Sequence, residues 1–187
     1  MIDRRTLMAA GGAALAAPAL PRMAEARPIW AGAPAPDWDV AAWLNSAPVS
    51  LDGLRGRVVL IDFFQLWCPA CKAFTLPLML TWRDDTFAQD IADGRLAIVG
   101  IHSVFEGHDH QTLARLERFV AKEGITHPVG HDRHGIDTRL PNTLILYGVR
   151  GTPSTVLVGK DGIVADHVLG VFDPDERAGL IRALMDA

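Results

Sequence analysis

Thiols are scarce in this chain: of its 187 residues only Cys68 and Cys71 are cysteines. A structural zinc site wants four ligands, usually a second C-x-x-C or paired histidines at a finger-like spacing, and no second cysteine pair exists. A purely stabilising disulfide is poorly served as well, because closing so short a loop restricts the unfolded chain little. Basic clusters are also missing. The 18 Lys and Arg form no patch among 22 Asp and Glu, and the net charge of −4 repels phosphate, which argues against a nucleic-acid partner. There is no internal repeat. The apolar stretch that ends at Leu20 is too short and too rich in Gly and Pro for a transmembrane helix.

What the chain does have is Trp67-Cys68-Pro69-Ala70-Cys71, a C-x-x-C pair whose spacing suits reversible disulfide chemistry. Ahead of it, Val58-Val59-Leu60-Ile61-Asp62-Phe63-Phe64 is a run of β-formers with little alternation, as expected of a strand buried on both faces of an α/β sheet. Asp62 interrupts the run. A carboxylate there is costly when charged and unpaired, so a raised pKa is expected, unless the residue merely caps the next element. After the pair, Lys72 to Thr86 reads as a helix with Phe74, Leu78 and Trp82 on one stripe and a kink at Pro77. Strand, turn and helix together place Cys68 at a helix N-terminus, where unsatisfied N–H groups and the helix dipole favour a thiolate.

The segment from Asp62 to Lys72 resembles the active-site segment of the thioredoxin superfamily. A second stretch, Tyr147-Gly148-Val149-Arg150-Gly151-Thr152-Pro153-Ser154-Thr155-Val156-Leu157-Val158, is similar to that family's cis-proline loop and following strand, and Lys160-Asp161-Gly162 to its hairpin turn. The resemblance covers roughly residues 37 to 187. It implies a thioredoxin-like α/β fold: a central mixed sheet flanked by helices, with a helix-strand insertion between the active-site half and the cis-proline half. It further implies that Cys68 is the attacking nucleophile, Cys71 the resolving cysteine, Asp62 a buried proton acceptor and Pro153 a cis-proline facing the disulfide. A cis bond there would leave the Thr152 backbone free to pair with an extended substrate. Trp67 is expected to shield the sulfurs, or else to be an ordinary core tryptophan. One departure stands out: the helix proline of thioredoxins commonly lies five residues after the second cysteine, whereas Pro77 lies six after Cys71.

Residues 1–26 read as an export signal, with Arg4-Arg5 resembling a twin-arginine motif and Ala24-Glu25-Ala26 a cleavage site. Residues 27–36 read as a linker and 37–187 as one domain, without a transmembrane segment in the mature form. Within it, Trp38 to Asn45 reads as a short helix. Arg95 to Ser103 reads as a strand, Gln111 to Glu123 as an amphipathic helix stopped by Gly124, and His127-Pro128-Val129 as a short strand. Asp173-Pro174-Asp175-Glu176 supplies an N-cap, a proline at N1 and an acid at N3 for a final helix, followed by Leu180, Ile181 and Leu184. The segment before the central strand, with Trp43-Leu44-Asn45 and Leu54-Arg55-Gly56-Arg57, resembles the TlpA-like and AhpC/TSA-like redoxin branch.

Three functions are compatible with this reading. The first is a periplasmic thiol-disulfide oxidoreductase acting on protein thiols and disulfides, in the reducing direction if the TlpA-like resemblance holds, with electrons from a membrane partner and no cofactor. The second is a thiol peroxidase, against which Gln65 stands where AhpC/TSA-like enzymes place Thr or Ser. The third is a copper or zinc module, suggested by the gathering of His102, His108, His110, His127, His131 and His134 with Glu106, Asp109 and Asp132. The two-residue gap between the cysteines argues against copper delivery, and no metal ligand set is assigned. His102 ends a central strand, where it would cap the strand or lie near the active site.

Overall fold

The structure, a computed structural model, describes residues 31–135 and 138–187. The export-signal reading of residues 1–26 falls outside the described residues, as do residues 27–30 of the expected linker. Residues 31–36 are held against the domain by backbone hydrogen bonds from Gly32 N–H to Val164 O (2.8 Å) and from Ala35 N–H to Gly162 O (3.0 Å).

Among the described residues six strands form one mixed sheet: β1 (Val40–Leu44), β2 (Val58–Phe64), β3 (Leu96–His102), β4 (Val129–Asp132), β5 (Ser154–Val158) and β6 (Val164–Leu169), in the order β1-β4-β3-β2-β5-β6. β2, β3 and β4 run parallel, while β1, β5 and β6 pair antiparallel with their neighbours. All seven residues of β2 are buried, Asp62 included, as a run of β-formers with little alternation predicts. Alternation sends Val59, Ile61 and Phe63 to a core with Tyr147 and Val156, and Val58 and Leu60 to a second core with Met79 and Ile181. Phe64 packs in a third cluster that contains both cysteines.

The helix after the cysteines comes in three segments: a π-helical turn over Cys71–Thr75, α1 over Leu76–Thr81 and a second π-helical turn over Trp82–Thr86. A π-turn takes up one more residue than an α-turn. The first of them therefore absorbs the six-residue spacing from Cys71 to Pro77 and leaves the proline in the first turn of α1, where no N–H is required. It also rotates the buried stripe to Cys71, Thr75, Met79 and Trp82; Phe74 and Leu78 are only half-buried, with Phe74 edge-on to Phe172. The remaining helices are α2 (Ala88–Ala92), α3 (Leu113–Lys122), α4 (Asn142–Leu146) and α5 (Pro174–Asp186). The Asp173 carboxylate accepts the Asp175 and Glu176 N–H groups, the cap expected for α5, although Leu180 of that helix is exposed. α3 and β4 form the expected insertion.

Two elements differ from the reading of the sequence. Residues 38–45 are not a helix but carry edge strand β1, paired with β4 and ended by Asn45 in the left-handed region (φ 64°). The apolar residues at 38, 40, 43 and 44 fit a helical spacing, but the open edge of β4 offers their backbone a ladder, and tertiary pairing overrides the local pattern. β4 itself starts at Val129 and extends to Asp132, because Pro128 has no N–H to contribute.

Gly130 of β4 makes this pairing possible. A Cβ at that position would lie 2.7 Å from Val40 Cγ1 and 3.1 Å from Ile101 Cδ1. Gly130→Ala is expected to lower stability by about 1–3 kcal/mol, the usual scale of overpacking, read as a lower denaturant midpoint. An unchanged midpoint would show that Val40 is not seated over Gly130.

Candidate active site

β2 ends at Phe64, and the chain turns through Gln65-Leu66-Trp67 before entering the helix. The Cys68 N–H closes this turn on the Gln65 carbonyl (3.2 Å), and the Cys68 carbonyl accepts the Lys72 N–H (3.2 Å). Cys68 and Cys71 are joined in a disulfide with their Cα atoms 5.3 Å apart. The Cys71 N–H points at Cys68 Sγ at 3.1 Å, so the sulfur sits where a capping side chain receives a helix N–H. Cys71 is fully buried and Cys68 is 9% exposed. Only the first sulfur can be reached from solution.

β5 runs antiparallel to β2 with Ser154 opposite Phe63, which brings the loop before β5 up to the cysteines. The Thr152-Pro153 peptide is cis, and Cys68 Sγ lies 3.5 Å from the Thr152 carbonyl oxygen. A cleft of about 380 Å³ opens here, walled by Trp67, Cys68, Pro69, Phe105, Gly151 and Thr152. Trp67 is 50% exposed and stands beside the disulfide as a wall of the cleft, which rules out a core tryptophan. A second cavity, of about 420 Å³, lies between Arg57, Arg83, Ile98 and His127 and shares no residue with the cysteine site.

Asp62 is 1% exposed. Alternation along β2 turns its side chain toward the face that Leu60 and Phe64 share, the face covered by Cys71, Thr75 and Met79. Burial pushes its pKa up from 3.8 to about 7, opposed only by the nearby Thr75 hydroxyl, and Oδ1 has no hydrogen-bond partner. Burial on this face thus favours the neutral carboxyl over the carboxylate.

Four of the six clustered histidines stand as two ring pairs, His102 with His131 (centroids 5.2 Å apart) and His108 with His134 (5.1 Å). His102 is fully buried at the end of β3, with Nδ1 3.0 Å from His131 Nδ1 and Nε2 3.4 Å from Gln111 Oε1. His134 meets the Val104 carbonyl, His108 and His110 are exposed, and His127 lies in the second cavity. Asp132 does not face them: its carboxylate accepts the Thr143 and Leu144 N–H groups at the start of α4 and the Ser103 hydroxyl. Among the described residues no three His, Cys, Asp or Glu side chains gather to hold one metal ion. Gln111, which the sequence reading did not single out, and Gln65, which it named only as standing where AhpC/TSA-like enzymes place Thr or Ser, are both buried and joined side chain to side chain at 2.8 Å.

The family model described as Redoxin matches residues 30–184. The chain belongs to the Redoxin family. Among curated proteins it is 29% identical over 150 residues to Protein DipZ of Mycobacterium bovis, covering 79% of this chain but only 20% of DipZ, so the chain spans about a fifth of that relative. It is 25% identical over 154 residues to Thiol-disulfide oxidoreductase ResA of Oceanobacillus iheyensis, covering 81% of this chain and 71% of ResA. Among solved structures, a thioredoxin-like superfamily protein superposes with a TM-score of 0.77 at 33% identity, over 83% of this chain and 97% of the other. A thiol-disulfide isomerase from Corynebacterium glutamicum superposes at 0.75 and 32%, with the same coverage. The redoxin has the thioredoxin-like fold that its two motifs implied.

The burial of Asp62 has a measurable consequence. Between pH 4 and 7 the native state holds a proton on Asp62 that the unfolded chain has released, so this group's contribution to stability falls as pH rises through that window. Burial depresses His102 to about 3 and His127 to about 4; these give the opposite slope, costing stability as pH falls below 6.5. Comparing wild type with Asp62→Asn cancels the histidines. From pH 5 to pH 8 the variant should gain about 2–3 kcal/mol relative to wild type, measured by denaturant unfolding of the oxidised proteins. Parallel stability curves would place the Asp62 pKa elsewhere.

Proposed function

We propose that this redoxin is a thiol-disulfide oxidoreductase of the periplasm. The observation that carries the reading is the placement of one accessible sulfur, Cys68 Sγ, between the Cys71 N–H and the Thr152 carbonyl, with the second sulfur buried behind it. In the reduced protein the helix N–H groups favour the Cys68 thiolate. That thiolate attacks one sulfur of a partner disulfide, forming the mixed disulfide and releasing the partner's other sulfur as a thiolate. Cys71 then loses its proton, to which the Asp62 carboxylate gives a nearby acceptor, and attacks Cys68 Sγ; the Cys68–Cys71 disulfide forms and the partner leaves fully reduced. Trp67 walls the cleft, and the Thr152 backbone, held by the cis bond to Pro153, lines up an extended stretch of the partner.

The names of ResA and of the Corynebacterium protein support this activity, and the TlpA-like resemblance supports the reducing direction with electrons from a membrane donor. The twin-arginine-like segment supports export, and no helix among the described residues is long and apolar enough to cross a membrane. Peroxidase chemistry is less favoured, because Gln65, which stands where AhpC/TSA-like enzymes place Thr or Ser, lines the cleft with an amide engaged to Thr152 Oγ1 (3.4 Å) and Gln111 (2.8 Å) and offers no hydroxyl there.

Cys68→Ser is expected to abolish reduction of insulin disulfides, and Cys71→Ser to trap the partner as a mixed disulfide visible on a non-reducing gel. Full activity in either variant would sink the mechanism. The direction of exchange is read from the potential of the couple: a value near or below roughly −270 mV marks a reductase and one near −120 mV an oxidant.

A further inference from the structure

Gln111 reaches the site from the insertion, just before α3, and every polar position of its side chain is used. Oε1 accepts the Leu66 N–H at 3.0 Å; Nε2 donates to the Glu106 carbonyl at 2.7 Å and to Gln65 Oε1 at 2.8 Å. A backbone donor on one side and a backbone acceptor on the other fix which way the amide points. Everything attached to it is then fixed as well. Oε1 can only accept, so His102 Nε2 carries the hydrogen, His102 Nδ1 accepts, and the hydrogen between the two rings belongs to His131 Nδ1. On the other side Gln65 Oε1 is the acceptor, so Gln65 Nε2 donates to Thr152 Oγ1. From His131 through His102, Gln111 and Gln65 to Thr152, all four hydrogen bonds are donated in one direction. The chain ends on a hydroxyl that accepts on one lone pair and donates to no partner among the described residues, on a residue that walls the cysteine cleft.

We propose that Gln111 is a positioning residue for the exchange reaction: it clamps the loop two residues before Cys68 and, through Gln65, fixes the Thr152 loop with its hydroxyl hydrogen available to an acceptor in the cleft. The acceptor is a main-chain carbonyl of an extended protein substrate, the group that a strand laid beside Thr152 would present. This inference rests on the disulfide-exchange reading. It gives the insertion a role in choosing polypeptide over small disulfides, since a small disulfide needs the sulfur and not the wall.

The test uses pre-reduced protein in single-turnover reactions with insulin and with hydroxyethyl disulfide. Gln111→Leu and Thr152→Val should each slow the insulin reaction about 5- to 10-fold more than the hydroxyethyl disulfide reaction, the scale of one net hydrogen bond. The double variant should lose no more than the worse single, because both cut one chain, and Thr152→Ser should keep the wild-type selectivity. If Gln111→Leu does not fold, Gln111→Glu replaces it; it keeps both accepting contacts, cannot donate to Gln65, and should show the same selective loss. Equal losses on the two substrates, no loss, or losses that multiply in the double variant would overturn the positioning role. Wild-type protein inert toward both disulfides would instead overturn the oxidoreductase reading itself.

Discussion

β2 is paired on both edges, and the rest of the site depends on that constraint. A strand with β3 on one side and β5 on the other, buried on both faces, has no freedom to slip: moving the register by one residue would turn Asp62 and Phe64 to the opposite core. With the register fixed, the end of β2 and the start of β5 are locked to each other, and the two segments that must meet are the loops just beyond them. Cys68 follows Phe64 by four residues and Pro153 precedes Ser154 by one, so the contact between Cys68 Sγ and the Thr152 carbonyl is a consequence of sheet pairing. The chemistry needs no long-range hinge to assemble it.

The same burial that fixes the register sets the electrostatics. A carboxyl in the middle of β2 has no water to solvate its charge, and the structure gives it no cation, only the Thr75 hydroxyl nearby. Its neutral form is therefore favoured well above the usual carboxylate range. His102, at the far end of the neighbouring strand, is kept neutral by the same dryness. A neutral imidazole has one donor and one acceptor, and that is what lets it serve as a directional link between His131 and Gln111. Low dielectric makes such a network costly to break once formed.

How much of this was legible in the sequence follows the range of the interactions. The cysteines, the strand before them, the helix cap at Asp173 and the proline loop are local patterns, with residue types whose spacing states their geometry. β1 was not legible, because an edge strand of a few residues is decided by the partner it finds, and residues 38–45 fit a helical stripe equally well. The one-residue excess between Cys71 and Pro77 was visible as an irregularity, but its resolution in a π-helical turn depended on the packing of Thr75 and Met79 against β2. Gln111 carries no spacing signal, and the position of Gln65 three residues before Cys68 bore only on the peroxidase reading. A glutamine is ordinarily a surface residue, and only the sheet brings these two together, 46 residues apart. The histidines misled for the complementary reason: closeness along the chain suggested a ligand set, whereas β3 and β4 pair His102 with His131, His108 packs edge-on against His134, and His110 is exposed.

The insertion can therefore be understood as more than added sheet. Its strand β4 extends the parallel core beside β3, and in doing so brings His131 opposite His102; its lead-in turn presents Gln111 to the loop that carries Cys68. Neither contribution touches a sulfur. The disulfide, the helix N–H groups and Asp62 all belong to the segment that the sequence motif spans, while Leu116, Val120 and Val129 of the insertion pack in the same cluster as the two cysteines. What it reaches is the wall of the cleft, through Glu106, Gln65 and Thr152. On the proposed reading, disulfide exchange is carried by the motif segment and partner choice by the insertion, the two meeting at the buried Gln111 amide.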